Sequence, residues 1–253
     1  VVDWKENMYM ENYHYHTMFS NVSTADSPVS NTDYSKRILE LKGKCLFSGE
    51  HGNQGNQFEV YNIAEETGLK YVHSTEAYWV KNRLEQDSTN CHICIIGLTA
   101  NARRKINLIL SIANEDGYYY KPRIDIELIK SLPKDEVIIT SACIAGWKYE
   151  DADKIWLDLA SYFGDNFFFE VQYHNTEPQK ELNQKILKLA KENDIQIIAG
   201  LDSHYIETET EEILRNEVLK YKKIFYDDEE GWYLDFPDTK TVIQRFREQG
   251  ALN

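Results

Sequence analysis

The sequence predicts an α/β protein in which strands and crossover helices alternate around a parallel sheet or a barrel. Three observations predict it. Short apolar or β-branched runs recur between stretches of helical period. The 253 residues suffice to bury one large α/β core, or a core with an appendage. Histidines and carboxylates gather in and at the ends of the apolar runs, and in a barrel the loops that follow strands build the active face.

The elements follow in chain order. Tyr13–Phe19 is the first strand candidate. Alternate side chains of Asn12-Tyr13-His14-Tyr15-His16-Thr17 share a face, so His14 and His16 converge, and convergent imidazoles suit a divalent metal. A polar loop, Asn21–Asp33, follows, and Asn31-Thr32-Asp33 caps a helix over Tyr34–Leu41. The second strand, Lys44–Ser48, leads to Glu50 and His51. After the loop Gly52–Gln57 comes a helix over Tyr61–Thr67, stopped by Gly68. The third strand, Lys70–Val80, carries Glu76; a loop over Lys81–Asn90 precedes the fourth, Asn90–Leu98, which carries His92.

Arg103–Ala113 reads as a helix with Ile106, Leu108, Leu110 and Ile112 as its apolar set, and Ile124–Glu127 opens a short helix before Pro133. The fifth strand, Glu136–Ala142, is followed by Cys143. A helix over Asp151–Phe163 stops at Gly164, and the sixth strand, Asn166–Tyr173, brings Glu170 and His174. Thr176-Glu177-Pro178 opens an amphipathic helix through Lys191, with Leu182, Ile186, Leu187 and Leu189 inside. The seventh strand, Gln196–His204, ends in Asp202-Ser203-His204, which pairs a carboxylate and an imidazole two residues apart. A polar helix, Glu207–Lys223, and a short one, Thr239–Glu248, read as a C-terminal helical extension.

Composition narrows the function classes. A formal net charge of −14 argues against the chain gripping nucleic acid unaided, and fits an acidic, cation-binding site. Cys45, Cys91, Cys94 and Cys143 are too few for a disulfide framework in a chain this long, and a single C-x-x-C inside an apolar run is no zinc knuckle. No membrane-length apolar run or signal peptide is visible, so the expected location is the cytoplasm, with no membrane partner. The opening Val1-Val2-Asp3-Trp4 lacks an initiator Met, which fits a processed chain or an excised piece of a longer one.

All seven histidines fall on or beside predicted strands, and six of them join Glu76, Cys143, Glu170 and Asp202 in one constellation; only His73, inside the third strand, lacks an obvious place in it. Imidazole, carboxylate and thiolate together are the ligand set of zinc, manganese or iron, and so rich a cluster suggests two or three divalent ions. Such ions serve phosphate-ester hydrolysis by activating water and clamping phosphoryl oxygens.

The series His14-x-His16, Gly49-Glu50-His51-Gly52, Glu76-Ala77-Tyr78, Cys91 to Leu98, Ser141 to Gly146, Phe169 to His174 and Asp202-Ser203-His204-Tyr205 resembles the polymerase and histidinol phosphatase (PHP) domain. Gly117-Tyr118-Tyr119-Tyr120-Lys121-Pro122-Arg123-Ile124-Asp125 is similar to the signature of one branch, the amino-terminal PHP domains of bacterial DNA polymerase III alpha subunits. The resemblance implies a distorted seven-stranded (β/α) barrel over residues 1–206, with its metal site at the C-terminal face of the strands, and an extension over 207–253 leading towards a polymerase core. It implies that His14, His16, Glu76 and Asp202 hold one ion and that Glu76 bridges to a second held by His92 and Cys143. A third ion falls to His51, His204 and Asp26, with Asp33 nearby as another loop carboxylate.

In the same terms Glu76 and Asp202 are the catalytic carboxylates, and Glu50, Glu170 and His174 support the ligands from behind. Lys121 and Arg123 are placed near a phosphate, followed by Arg103 and Arg104. Glu50 departs from the family, which usually has Asp there; if it orients His51, the longer side chain shifts that geometry. The implied activity is 3′→5′ exonuclease proofreading on a DNA 3′ end presented by a polymerase in cis, and Gly231–Pro237 resembles the connection towards its palm. A catalytically silent scaffold and a phosphomonoesterase of the histidinol phosphatase type are the alternatives.

Overall fold

A computed structural model describes residues 9–22, 26–221, 223 and 231–251. The expected features at Val1–Trp4, Lys222 and Leu252-Asn253 lie outside these residues. The strands are β1 (Cys45–Phe47), β2 (Lys70–Val80), β3 (Cys91–Gly97), β4 (Tyr118–Tyr119), β5 (Lys121–Asp125), β6 (Val137–Thr140), β7 (Phe167–Val171) and β8 (Gln196–Ala199). The helices are α1 (Asn31–Glu40), α2 (Gln57–Thr67), α3 (Ala100–Glu115), α4 (Ile126–Lys130), α5 (Ala152–Phe163), α6 (Glu177–Asn193), α7 (Glu211–Tyr221) and α8 (Thr239–Gln249).

The sheet runs β4-β5-β2-β3-β6-β7-β8, with β1 beside the first part of β2. Two expectations are corrected. The sheet is mixed: β3 runs antiparallel to both β2 and β6, because a ten-residue connection without a helix joins β2 to β3 and so forms a hairpin-like return. Tyr13–Phe19 is no sheet strand; a single bridge ties Tyr15 to Ser203, and Met18–Val22 winds into a 3-10 helix. The segment nonetheless lies across the gap between the two ends of the curled sheet. His16 N–H donates to Ser203 O and Ser203 N–H to His14 O, while a Cβ on Gly49, just past β1, would stand 3.5 Å from the carbonyls of Tyr13 and Tyr15.

Alternation along the strands divides the interior. Ala77 and Trp79 of β2 and Cys91, Ile93 and Ile95 of β3 face outward into one apolar core, which α3, α5 and α6 cover through Ile106, Trp156 and Ile186. Cys94 and Ile96 of β3 join a second core with Tyr13, Tyr15, Tyr34, Ile38 and Val60. The C-terminal segment packs into the same body: Leu234 and Phe236 enter the second core, and Gln249 donates to the carbonyls of Gln172 and His174. Among the described residues no helix is long and apolar enough to cross a membrane.

Candidate metal centre

Six strands, β1, β2, β5, β6, β7 and β8, point one way, and polar side chains meet where they end. Glu50 and His51 follow β1, Cys143 follows β6, Glu170 is the next-to-last residue of β7, and Asp202 and His204 follow β8. His92 comes from the opposite end of its strand: because β3 is reversed, its N-terminal end reaches this face. The expectation of strand C-termini alone is corrected to that extent.

Glu76 is at the middle of the cluster and is 1% exposed. Its Oε1 lies 3.2 Å from His14 Nε2 and 3.0 Å from His92 Nδ1; its Oε2 lies 2.6 Å from His51 Nδ1 and 3.3 Å from His16 Nε2. Asp202 Oδ1 lies 3.2 Å from both His14 Nε2 and His16 Nε2. Cys143 Sγ is 3.4 Å from His92 Nδ1 and 3.7 Å from Glu76 Oε1. Asp26 Oδ2 stands 2.8 Å from His51 Nε2 and 3.2 Å from His204 Nε2. The structure therefore gathers all nine residues singled out as candidate ligands. Asp33 stays outside, hydrogen-bonded to Ser30 and paired with Lys36 at the start of α1.

The inward atoms fit a cation. His14 Nε2, His16 Nε2, His51 Nδ1, Glu76 Oε2 and Asp202 Oδ1 are buried without a hydrogen-bond partner, although they lie within reach of one another. Buried polar atoms are ordinarily paired, and an orphaned set of lone pairs converging from imidazoles and carboxylates is what a divalent ion satisfies. The groups His14–His16–Glu76–Asp202, His51–Glu76–His92 and His16–His51–His204 each bring their donor atoms within 4.8 Å of one another. Burial, with Asp202 and Glu76 beside it, pushes the Cys143 thiol well above its ordinary value, and a divalent cation reverses the sign of that field. Burial alone would raise the carboxyls of Glu76 and Asp26; the surrounding histidines hold both well below the usual range.

An outer layer fixes the imidazole tautomers. Glu170 Oε2 accepts from Tyr13 Oη at 2.5 Å and from Thr140 Oγ1 at 3.0 Å, and its Oε1 accepts from Gln172 Nε2 at 2.7 Å. Its Oε1 is also 2.8 Å from His14 Nδ1, so that nitrogen carries the proton and Nε2 keeps its lone pair for the centre. Gly200 makes room for this carboxylate, since a Cβ there would stand 2.2 Å from Glu170 Oε1. His204 Nδ1 likewise donates to Asp202 O at 2.7 Å, leaving Nε2 towards Asp26. Asp202 and Ala142 adopt left-handed backbone at φ of 51° and 52°, a strain that non-glycine residues bear where a site demands it.

Glu50 has a different place from the one expected. It accepts from Thr17 Oγ1 and Ser20 Oγ, both at 2.5 Å, and from Asn56 Nδ2 at 2.6 Å, with no hydrogen bond to the His51 ring. Since Ser20 gives its proton to Glu50, its oxygen accepts from His16 Nδ1 at 3.1 Å, and His16 is the imidazole that Glu50 orients. Ser20 was hidden in a polar loop, and its spacing of four residues from His16 was the available signal. His174 accepts from Tyr233 N–H and packs against Trp232 with the rings tilted at 41°, while burial holds it neutral with its pKa down to about 4.

The cations divide. Lys121 Nζ lies 3.5 Å from Tyr78 Oη, and the Tyr78 ring stacks 5.7 Å from that of His51, so Lys121 is at the rim. Arg123 is corrected: it is 2% exposed and donates to the carbonyls of Gly117, Glu85, Asp87 and Arg83, which uses its guanidinium on the backbone. Arg103 sits at the far end of β2, near Tyr71 and His73. Sequence reasoning missed Arg215 of α7, which is buried, donates from Nε to Asp26 O at 2.9 Å and ties the C-terminal helix to the candidate ligand loop.

Comparison with known proteins places this centre in context. The PHP domain model matches residues 12–174. The DNA polymerase III alpha subunit of Aquifex aeolicus is 27% identical over 78% of this chain and 18% of its own length. That of Thermus aquaticus is 28% identical over 94% of this chain and 20% of its own length, so the chain spans about a fifth of such relatives. A crystal structure from Bifidobacterium adolescentis, described as a candidate metal-dependent phosphoesterase, shares the fold with a TM-score of 0.50 at 14% identity, covering 92% of this chain and 94% of that one. With the family model spanning well over half of its residues, this chain belongs to the PHP domain family.

Proposed function

We propose that this chain is a metal-dependent phosphoesterase that hydrolyses phosphodiesters, acting as the 3′→5′ proofreading exonuclease of a DNA polymerase III alpha subunit. The observation that carries the reading is the set of partnerless lone pairs on His14, His16, His51, Glu76 and Asp202 around one buried carboxylate. The barrel reading of the curled sheet belongs to the same proposal, as do a cytoplasmic location and a polymerase core in cis. Support for the polymerase context comes from the relatives, all of it at the level of resemblance.

His14, His16, Glu76 and Asp202 are the residues that would hold one ion; His92 and Cys143, sharing Glu76, would hold another; His51, His204 and Asp26 would hold a third. Zinc, manganese and iron all suit these donors. Bound there, such ions supply water activation and neutralise charge that develops on phosphoryl oxygens.

The chain's own groups prepare that chemistry. Glu170, Ser20 and the Asp202 carbonyl hold the outward nitrogens of His14, His16 and His204 as N–H donors, so Nε2 of each is the nitrogen turned to the centre. Glu76 and Asp202 are held as carboxylates by the imidazoles about them, despite burial that works against it. Lys121, at the edge of Tyr78, offers positive charge to a phosphate oxygen entering beside His51.

The test is metal content by elemental analysis, measured together with nucleotide release from a DNA 3′ end, for wild type and Asp202→Asn. Bound metal and cleavage in the wild type, both reduced in the variant, support the reading. Absence of cleavage with every added divalent ion turns it into the silent scaffold, and turnover of phosphate monoesters alone turns it into the phosphomonoesterase.

A further inference from the structure

The hairpin beside the centre carries an aromatic surface that the metal site does not use. β4 and β5 are joined by one residue: Tyr119 pairs with Lys121, Tyr118 with Pro122, and Tyr120 forms the tip with a left-handed φ of 60°. Glycine or asparagine takes that conformation at lower cost, and a tyrosine held there points to its ring rather than its backbone as the useful part. Tyr120 is 68% exposed, and Tyr118 is 61% exposed. Single exposed apolar side chains are ordinary, whereas here two rings stand together on one two-stranded projection.

The projection is rigid at its base. Gly117 leaves no room for a Cβ, which would stand 2.1 Å from Arg123 O, and Arg123 Nε donates back to Gly117 O at 2.8 Å. Arg123 also lies 5.4 Å from the centre of the Tyr119 ring, and the Tyr119 ring packs 4.6 Å from that of Tyr120 at 69°. One tyrosine of the three is thereby fastened inward and braces its neighbour. The hairpin is also continuous with the metal centre. Pro122 packs on Gly52, directly after His51, and Lys121 stands over the Tyr78 ring, 5.0 Å from its centre.

Exposed rings on a braced support, next to one cation and a phosphate-directed centre, make a stacking platform for bases. Stacking also resolves the charge problem. A chain of net charge −14 cannot hold a strand by many phosphate contacts, whereas a base stacks on an aromatic face whatever the net charge. We infer that Tyr118 and Tyr120 bind unpaired nucleobases of single-stranded nucleic acid and that Lys121 takes the adjoining phosphate, feeding a strand end to the centre. The inference rests on the phosphodiester reading for its last step and names the substrate class: an unpaired strand rather than a duplex.

The experiment is fluorescence anisotropy of the full chain with a labelled oligothymidylate in excess chelator, so that binding is read without hydrolysis. Wild type binds the single strand in preference to a duplex of equal length. The double variant Tyr118→Ala, Tyr120→Ala loses at least about tenfold in affinity, while Tyr118→Phe, Tyr120→Phe stays within about threefold, because stacking needs the ring and not the hydroxyl. Affinity falls only gently with salt, with a slope of about −0.7 for a single phosphate contact. No binding by wild type, equal binding by the alanine variant, or equal loss by the phenylalanine variant overturns the inference. The two readings separate cleanly: strand binding without hydrolysis of any diester keeps this one and sinks the phosphoesterase, and hydrolysis with unaltered strand affinity in the alanine variant does the reverse.

Discussion

The two faces of β2 and β3 are built from the same strands and do opposite work. Outward, Ala77, Trp79, Cys91, Ile93 and Ile95 are apolar, fully buried and packed against helices. Inward, Glu76, Tyr78, His92 and Cys94 alternate with them, and there burial strands charge: Glu76 is 1% exposed and its Oε2 lacks a hydrogen-bond partner. Burying apolar surface stabilises, whereas burying charge costs, so the outer face carries the stability that the inner face consumes. Local satisfaction fails where the candidate ligands converge, the pattern expected of a functional site.

The largest effect tests the outer face. Trp79 is fully buried, and its Nε1–H donates to His92 O at 3.0 Å. Trp79→Ala removes a large ring from the packed core and costs about 3–5 kcal/mol in urea unfolding, with or without divalent ions. A loss below about 1 kcal/mol breaks the claim that this face is what holds the sheet.

The contrast between the faces also explains what was legible in the sequence. The period-two pattern marked β2, β3, β6 and β7 within a residue or two, because their alternation or apolar runs answer to both faces at once. The six inner-face histidines and their carboxylates stood out for the same reason: they break an apolar pattern. Strand direction was not legible, since antiparallel β3 has the same residue pattern a parallel strand would have. Nor was the pairing of Tyr13–Phe19, whose role depends on closing a gap between residues nearly two hundred positions apart. The hairpin of β4 and β5 leaves no clear period because its strands are only two and five residues long, and the tie from Arg215 to Asp26 leaves none because it spans 189 positions. The histidine that Glu50 serves is hidden for the same reason, since its partners Thr17, Ser20 and Asn56 reach it only through the fold.

The second effect sharpens the inner face. Divalent ions that bind the folded chain stabilise it by about 2.7 kcal/mol when free metal is a hundredfold above Kd. Thermal unfolding in chelator and in added zinc or manganese is therefore expected to differ by several degrees for wild type. It should differ little for Glu76→Gln, which removes the charge shared by His14, His16, His51 and His92. Equal melting temperatures in both conditions would show that the stranded charge is resolved in some other way.

The third effect is smaller and concerns how the inner face is kept in order. Shortening Glu50 by one methylene in Glu50→Asp pulls its carboxylate back from Thr17, Ser20 and Asn56, and so loosens the Ser20 hydroxyl that holds His16 Nδ1. Metal affinity, measured by competition with a chromogenic chelator, is expected to fall about 10–100-fold. Unchanged or tighter binding would mean that aspartate reaches the same partners, and that His16 takes its orientation from elsewhere.

The smallest effect lies in a titratable side chain on the outer face. His73 points away from the centre, with Nδ1 2.7 Å from Tyr71 Oη and Nε2 3.1 Å from Asn107 Oδ1 of α3. Burial, helped by Arg103, lowers its pKa to about 4 from an unfolded value of 6.5, so it folds neutral: Tyr71 donates to Nδ1 and Nε2–H donates to Asn107. The unfolded chain binds the extra proton first. His73 therefore has no effect on stability above about pH 6.5, and costs stability progressively as the pH falls from there towards 4, where both states are protonated. The expected loss is about 1–3 kcal/mol across that window. His73→Gln cannot titrate, so urea unfolding of the chelated variant should show a shallower decline between pH 6.5 and 4 than the chelated wild type. Titrating histidines of the inner face are common to both chains and cancel in the difference. Parallel pH profiles would mean that protonated His73 is accommodated between Tyr71 and Asn107, and the outer face would then tolerate charge as the inner face does.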